Sequence, residues 1–183
     1  MENIYKDYID YKTNILINEK ELHERIKELA LEISLDYRDK HILLIGILKG
    51  ATMFMMDISR FIIVPVTYDF ISVVSYDGLA STGEIKILKD ITDDIKGKHV
   101  IIVDDICDTG LTLKYVKHHL LTFNPATLNI CVLLYKQNKK KYKVDIKYKG
   151  FAIPDKYVIG YGLDYKGKYR NLPSICVLKE ENI

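Results

Sequence analysis

Asp104 and Asp105 follow four β-branched apolar residues, Val100-Ile101-Ile102-Val103, and precede a third carboxylate, Asp108, by only a few positions. The turn after them, Asp108-Thr109-Gly110-Leu111-Thr112, carries two hydroxyls and one glycine and opens into a helical pattern. A carboxylate pair at the end of a buried strand suits hydroxyls, a divalent cation or a proton. Bare backbone amides at a helix start, with the helix dipole behind them, suit a phosphate. Carboxylates repel that phosphate, so the two halves must address different groups of one ligand. A sugar phosphate fits both. The turn lacks the glycine spacing and lysine of a Walker loop, so amides and hydroxyls must do the holding.

The order Asp-Asp-x-x-Asp-Thr-Gly-x-Thr closely resembles the phosphoribosyl pyrophosphate (PRPP) signature of the type I phosphoribosyltransferases. Further segments narrow the resemblance to the hypoxanthine-guanine phosphoribosyltransferases, from about residue 10 to 178. The resemblance implies that Asp104 and Asp105 hold the ribose 2- and 3-hydroxyls. In this family the first of the pair is often Glu, and Asp keeps the charge on a shorter stem. Residues Asp108, Thr109, Gly110, Leu111 and Thr112 would cradle the 5-phosphate. Asp108 would lie beside the imidazole edge of the purine as general base, with Ile106 against the purine.

Four more segments carry the likeness. Leu48-Lys49-Gly50 ends an apolar strand and resembles the family's pyrophosphate loop, which often has a cis peptide between its first two residues. Ser75-Tyr76 opens a stretch rich in glycine and small residues that resembles the family's lid, expected over about 75–85. A lid has a physical purpose here. An oxocarbenium-like ribosyl transition state is readily trapped by water, and closure excludes it. Lys136 comes at the end of the strand Leu133-Leu134-Tyr135, where the resemblance implies a hydrogen bond to the 6-oxo group of a purine. A 6-amino purine would set a donor against that donor. Finally, residues 153–164 and Arg170 match the family's hood segment. Tyr157 would stack on the base, in a place the family often fills with Phe. Backbone groups of Val158 and Asp164 would read the base edge. Asp164, with Asp104 and Asp105, would serve Mg²⁺, and Arg170 the pyrophosphate.

The elements that must position these groups are legible as well. Asn18 and Glu21 form a capping-box pair, and Leu22, Ile26, Leu29 and Ile33 follow on one helical face. Residues 41–48 read as a strand buried on both faces, and residues 51–61 as a helix. A long strand over 66–76 is answered by a partner over 84–91. The signature strand spans 99–103 and its helix 112–122, stopped by Asn124-Pro125. Residues 128–135 form another buried strand, and 157–161 a short one. Strands alternating with helices predict βαβ units in a mostly parallel sheet, with ligands beyond the carboxyl ends of the strands.

The resemblance therefore implies the type I phosphoribosyltransferase fold. This is an α/β fold whose mostly parallel twisted sheet is flanked by helices, with a flexible lid loop. A small hood would come from the chain termini, about 1–15 and 150–183 of a single domain over 1–183. It implies a purine salvage enzyme that moves the 5-phosphoribosyl group from PRPP to hypoxanthine or guanine, with Mg²⁺ as cofactor. A PRPP- or nucleotide-binding RNA regulator on the same fold is the alternative. A receiver domain phosphorylated at Asp104 or Asp105 is a more distant one, and an adenine transferase lacks this hood pattern.

Totals bound the rest. A chain of 183 residues buries roughly 70% of its unfolded surface on folding. A net charge of only +2 gives no electrostatic sign of a nucleic-acid partner. The three cysteines, Cys107, Cys131 and Cys176, are odd in number and without metal-ligand spacing, which favours a reducing compartment. The first residues, Met-Glu-Asn-Ile-Tyr-Lys-Asp, lack a basic region followed by an apolar core, so no signal peptide is expected, and no apolar run approaches about 20 residues. The expectation is a cytoplasmic protein without membrane contact, with PRPP and a 6-oxopurine as partners and a homodimer or homotetramer as assembly.

Overall fold

The computed structural model describes residues 13–75, 85–136 and 141–178. The first twelve residues of the expected hood, Tyr76 with the lid through residue 84, residues 137–140 and residues 179–183 lie outside the described residues.

Thr13–Ile17 forms strand β1, after which Asn18 caps helix α1 (Glu19–Asp36) through the expected reciprocal bonds with Glu21. Strand β2 (Ile42–Leu48), helix α2 (Thr52–Phe61) and strand β3 (Val66–Ser75) follow as a βαβ unit, and β4 (Ile85–Lys89) returns antiparallel to β3. A second unit comprises β5 (His99–Cys107), α3 (Leu111–Leu121) and β6 (Thr127–Lys136), with β7 (Tyr148–Ile153) parallel beside it. The six-stranded sheet has the order β4-β3-β2-β5-β6-β7. Two short strands, β8 (Val158–Ile159) and β9 (Ile175–Leu178), join β1 in a separate antiparallel sheet ordered β1-β9-β8.

Alternation along the strands sorts side chains to the two faces. Ile42 and Leu44 of β2, with Ile101 and Val103 of β5, pack under α1 and α2 against Leu22, Ile26, Leu29, Phe54, Met55 and Ile58. Leu43, Ile45 and Ile47 face the other way, with Val100 and Ile102, and meet Leu113, Val116 and Leu120 of α3. Each such fully buried aliphatic side chain contributes about 1.5–3 kcal/mol. Because α2 and α3 cover opposite faces, the winding direction reverses between β2 and β5. That reversal opens a crevice at the carboxyl ends of these two strands.

Several boundaries differ from the sequence expectations, each for a local reason. The signature strand does not stop at Val103. Asp104, Ile106 and Cys107 continue to pair with Val132, Leu134 and Tyr135 of β6, so the two carboxylates stand within the strand. On its other side β5 loses its neighbour after Val103, which pairs with Gly46 of β2. Lys136 is likewise the last residue of β6 rather than the first beyond it. The strand expected over 157–161 shortens to Val158–Ile159, because the chain turns back at Gly160 and Tyr161 with φ of 96° and 49°. Residues 150–153, expected in the hood, complete β7 of the main sheet. Strands β1, β7 and β9 went unanticipated because each is short or only partly apolar.

Candidate active site

The crevice between β2 and β5 holds a cleft of about 280 Å³, bordered by Leu48 and Gly50 on one side and by Asp104, Asp105 and the turn Asp108–Thr112 on the other. Asp104 is buried, and its Oδ1 accepts the Asp105 amide at 3.1 Å. Asp105 Oδ1 in turn accepts the Ile106 amide at 2.8 Å. Burial raises both carboxyls above the usual range, and the neighbouring Asp105 charge raises Asp104 further. The Asp104 contact and, more weakly, the Arg170 guanidinium pull Asp105 back down. Such a pair gains from hydroxyl donors or a cation, which compensate its charge.

The turn into α3 is built for an anion. Gly110 occupies the N-cap with φ of 86°, a left-handed conformation that costs glycine little and other residues more. It has no side chain to cap the first-turn amides, in contrast to Asn18 at α1. The amides and dipole of α3 therefore open toward a cleft that Thr109, Gly110 and Thr112 help to line. The Leu111 amide contacts Thr109 Oγ1 at 3.4 Å.

Opposite this turn the Leu48–Lys49 peptide is cis. Gly50 packs directly on Asp105, and a β-carbon there would lie 1.6 Å from Asp105 Oδ2. The Lys49 side chain is exposed, and its carbonyl accepts the Thr52 hydroxyl at 2.7 Å.

A second cleft, also about 280 Å³, adjoins the first and shares Asp105, Ile106 and Asp108 with it. Its other walls are Lys136, Tyr157, Val158, Leu163 and Asp164, with Lys156 at the edge. Lys136 is only 6% exposed. Its ammonium lies 2.9 Å from Asp155 Oδ1 and 3.6 Å from Asp108 Oδ2. Tyr157, on the wall of this cleft, is 45% exposed. It stands edge-on to Tyr165 at 5.6 Å, and its hydroxyl donates to the Asp164 carbonyl at 3.1 Å. Burial, then the Asp164 charge, raises the Tyr157 hydroxyl above its ordinary value, so the ring stays neutral.

Asp164 is held on both oxygens, by Arg170 at 2.6 Å and by the Gly167 amide at 2.7 Å. Arg170 also donates to the Gly162 carbonyl at 2.5 Å. It is thus tied to Asp164 and does not border the cleft beside Leu48 and Gly50. Ser75 closes β3, pairing with Ile85 of β4. Among the described residues no three Asp, Glu, His or Cys side chains converge as a metal centre. Mg²⁺ binds through one or two carboxylates plus substrate oxygens rather than in an all-protein cage. Asp105 and Asp164, on the walls of one cleft, are hard oxygen donors of the right kind.

Sequence reasoning missed two supporting contacts. Asp155, in a Pro-Asp-Lys stretch that reads as an ordinary turn, pairs with Lys136. Asp57 of α2 accepts the buried Tyr161 hydroxyl at 2.5 Å and so anchors the segment that carries Asp164. Neither contact has a local signal, since the partners are 19 and 104 residues apart.

The geometry agrees with the relatives. Residues 13–166 match the phosphoribosyl transferase domain model. The chain is 43% identical to the hypoxanthine phosphoribosyltransferase of Haemophilus influenzae over 176 residues, 93% of this chain and 98% of that one. It is 42% identical over 173 residues to the hypoxanthine-guanine-xanthine phosphoribosyltransferase of Tritrichomonas foetus, covering 94% of each. The crystal structure of a hypoxanthine-guanine phosphoribosyltransferase from Bacillus anthracis superimposes with a TM-score of 0.88 at 45% identity, over 91% of this chain and 98% of that one. With the strand order, the paired clefts and these likenesses in agreement, the chain belongs to the hypoxanthine-guanine phosphoribosyltransferase family.

Proposed function

We propose that the protein transfers the 5-phosphoribosyl group of PRPP to hypoxanthine or guanine, giving IMP or GMP and pyrophosphate in purine salvage. One observation carries the reading: an anion-binding cleft and an aromatic-walled cleft meet at Asp105, Ile106 and Asp108. A sugar phosphate in the first and a planar base in the second would bring the anomeric carbon and the base nitrogen together there.

In this reading the α3 turn holds the 5-phosphate through amides and the Thr109 and Thr112 hydroxyls. Asp104 and Asp105 orient the ribose and favour the positive charge that grows on it as pyrophosphate leaves. Leu48, Lys49 and Gly50 receive the pyrophosphate, Arg170 contacts it from its place beside Asp164, and Ser75 and Tyr76 belong to the lid. Tyr157 and Ile106 sandwich the base, Lys136 donates to the 6-oxo group, and backbone groups of Val158 and Asp164 read the edge. Nitrogen 9 attacks the anomeric carbon with inversion, and Asp108 accepts the imidazole proton. Mg²⁺, held by Asp164 and served by Asp104 and Asp105, would offset the pyrophosphate charge and stabilise the leaving group.

Among the described residues no helix is long and apolar enough to cross a membrane. Cys107, Cys131 and Cys176 are all buried, which supports a cytoplasmic enzyme. Exposed apolar side chains, among them Met53, Ile63, Tyr68 and Leu88, support self-association as a homodimer or homotetramer. The RNA-regulator alternative finds no support in the relatives named above.

A product assay tests the proposal. The protein is incubated with PRPP and Mg²⁺ and offered hypoxanthine, guanine, xanthine, adenine or uracil. Formation of IMP and GMP, abolished by chelation, is the expected result, and the xanthine arm sets the breadth of the pocket. Bound PRPP without nucleotide from any base would overturn it.

A further inference from the structure

Lys136 presents a problem that the reaction does not solve by itself. An ammonium this deeply buried requires anionic partners. Asp108 is one, 3.6 Å away, yet the proposed chemistry needs that carboxylate to accept the imidazole proton. The nearer partner is Asp155, at 2.9 Å. The register explains how it arrives there: Lys136 pairs with Ile153 of β7, and the turn immediately beyond folds back through the Lys156 amide to the Pro154 carbonyl. Asp155 thereby reaches Lys136 from outside the cleft, its own side chain 55% exposed.

We propose that Asp155 is a positioning residue for base recognition, holding the Lys136 ammonium at the 6-oxo end of the purine and away from Asp108. The inference rests on the reading that Lys136 donates to the 6-oxo group. An ammonium has three donors in roughly tetrahedral directions. Anchoring one on Asp155 restricts where the other two point, so the donor waits in place for the carbonyl. Without Asp155 the acidic group that the ammonium approaches among the described residues is Asp108. Lys136 then swings toward it, withdrawing the donor from the base and occupying the carboxylate that must take the proton. Asp155 lies at neither the ribose nor the pyrophosphate, so PRPP binding is spared.

The test is steady-state kinetics of Asp155→Asn and Asp155→Glu with each substrate varied in turn, alongside thermal melting. In Asp155→Asn the KM for hypoxanthine and for guanine rises roughly tenfold, the loss of one charge-assisted hydrogen bond's alignment. The KM for PRPP stays within about twofold, and Asp155→Glu recovers most of the purine KM. Unchanged purine KM values in Asp155→Asn would overturn the proposal. So would an equal rise in both KM values with a lowered melting temperature, which marks a merely structural tie. Lys136→Met separates the premises. If it raises the purine KM and Asp155→Asn does not, the positioning role alone fails. If it leaves the purine KM unchanged, the 6-oxo reading fails and the proposal with it.

Discussion

Gly50 and Asp105 share a boundary with no room for a methyl group: a β-carbon on Gly50 would meet the Asp105 carboxylate at 1.6 Å and its carbon at 2.4 Å. The end of β2 therefore sets the position of a side chain on β5. In Gly50→Ala the carboxylate must be displaced. We expect kcat/KM for PRPP to fall about a hundredfold, with a stability loss of roughly 1–3 kcal/mol. PRPP saturation kinetics and chemical denaturation measure the two. Wild-type PRPP kinetics in this variant would contradict the packing argument.

Asp108 is assigned the proton of the imidazole edge because it stands where the two clefts meet. Asp108→Asn preserves shape and removes the acceptor charge. A fall in kcat of about 10²–10⁴ is expected, with the KM for PRPP little changed. Full turnover in the variant would remove Asp108 from the mechanism.

Arg170 bridges the Gly162 carbonyl and Asp164. Lysine keeps the charge but lacks the planar fork that spans both acceptors. Arg170→Lys is expected to lose about 1–2 kcal/mol of stability and to require more Mg²⁺ for half-maximal rate, since Asp164 is no longer held in place. Melting curves and Mg²⁺ titrations of the rate provide the check, and an unchanged Mg²⁺ requirement would argue against Asp164 as the metal's ligand.

Asp69 gives the fold an acid-sensitive contact away from the chemistry. Burial by itself raises its carboxyl, but the amides of Thr92, Phe70 and Asp93 and the Thr92 hydroxyl outweigh burial and hold the pKa down at about 2. The Phe70 and Thr92 amides are each 2.6 Å away. Since the folded value lies below the unfolded one, near 3.9, the contribution is complete above that unfolded value. It fades as pH falls from about 3.9 to about 2 and is gone below. Its size is on the order of 2 kcal/mol. Denaturation of wild type and Asp69→Asn across this range should show the gap between them narrowing with falling pH. A constant gap would show that the carboxylate charge is not what stabilises the loop after β4.

Local chemistry made a large part of this molecule legible. The α1 capping box needs only Asn18 and Glu21 three residues apart, and both bonds form. The carboxylates and hydroxyls of the α3 turn are contiguous in the chain, so strand, turn and helix carry them into one cleft together. Boundaries were less legible. The end of β5 is set by the length of β6 beside it, a property of another segment.

By itself the sequence determined the order of the βαβ units, the acid pair, the phosphate turn and the family likeness, because each depends on residues close in the chain or on periodicity along it. The tertiary structure alone decided which distant groups meet. It brought Gly50 onto Asp105, Asp155 onto Lys136 and Asp57 onto Tyr161. It also made one crevice of two clefts, by covering opposite faces of the sheet with α2 and α3. The physical reason is that these contacts follow from strand register and from the side on which each helix packs. Both are settled by burying two apolar faces at once, and no single stretch of chain encodes them.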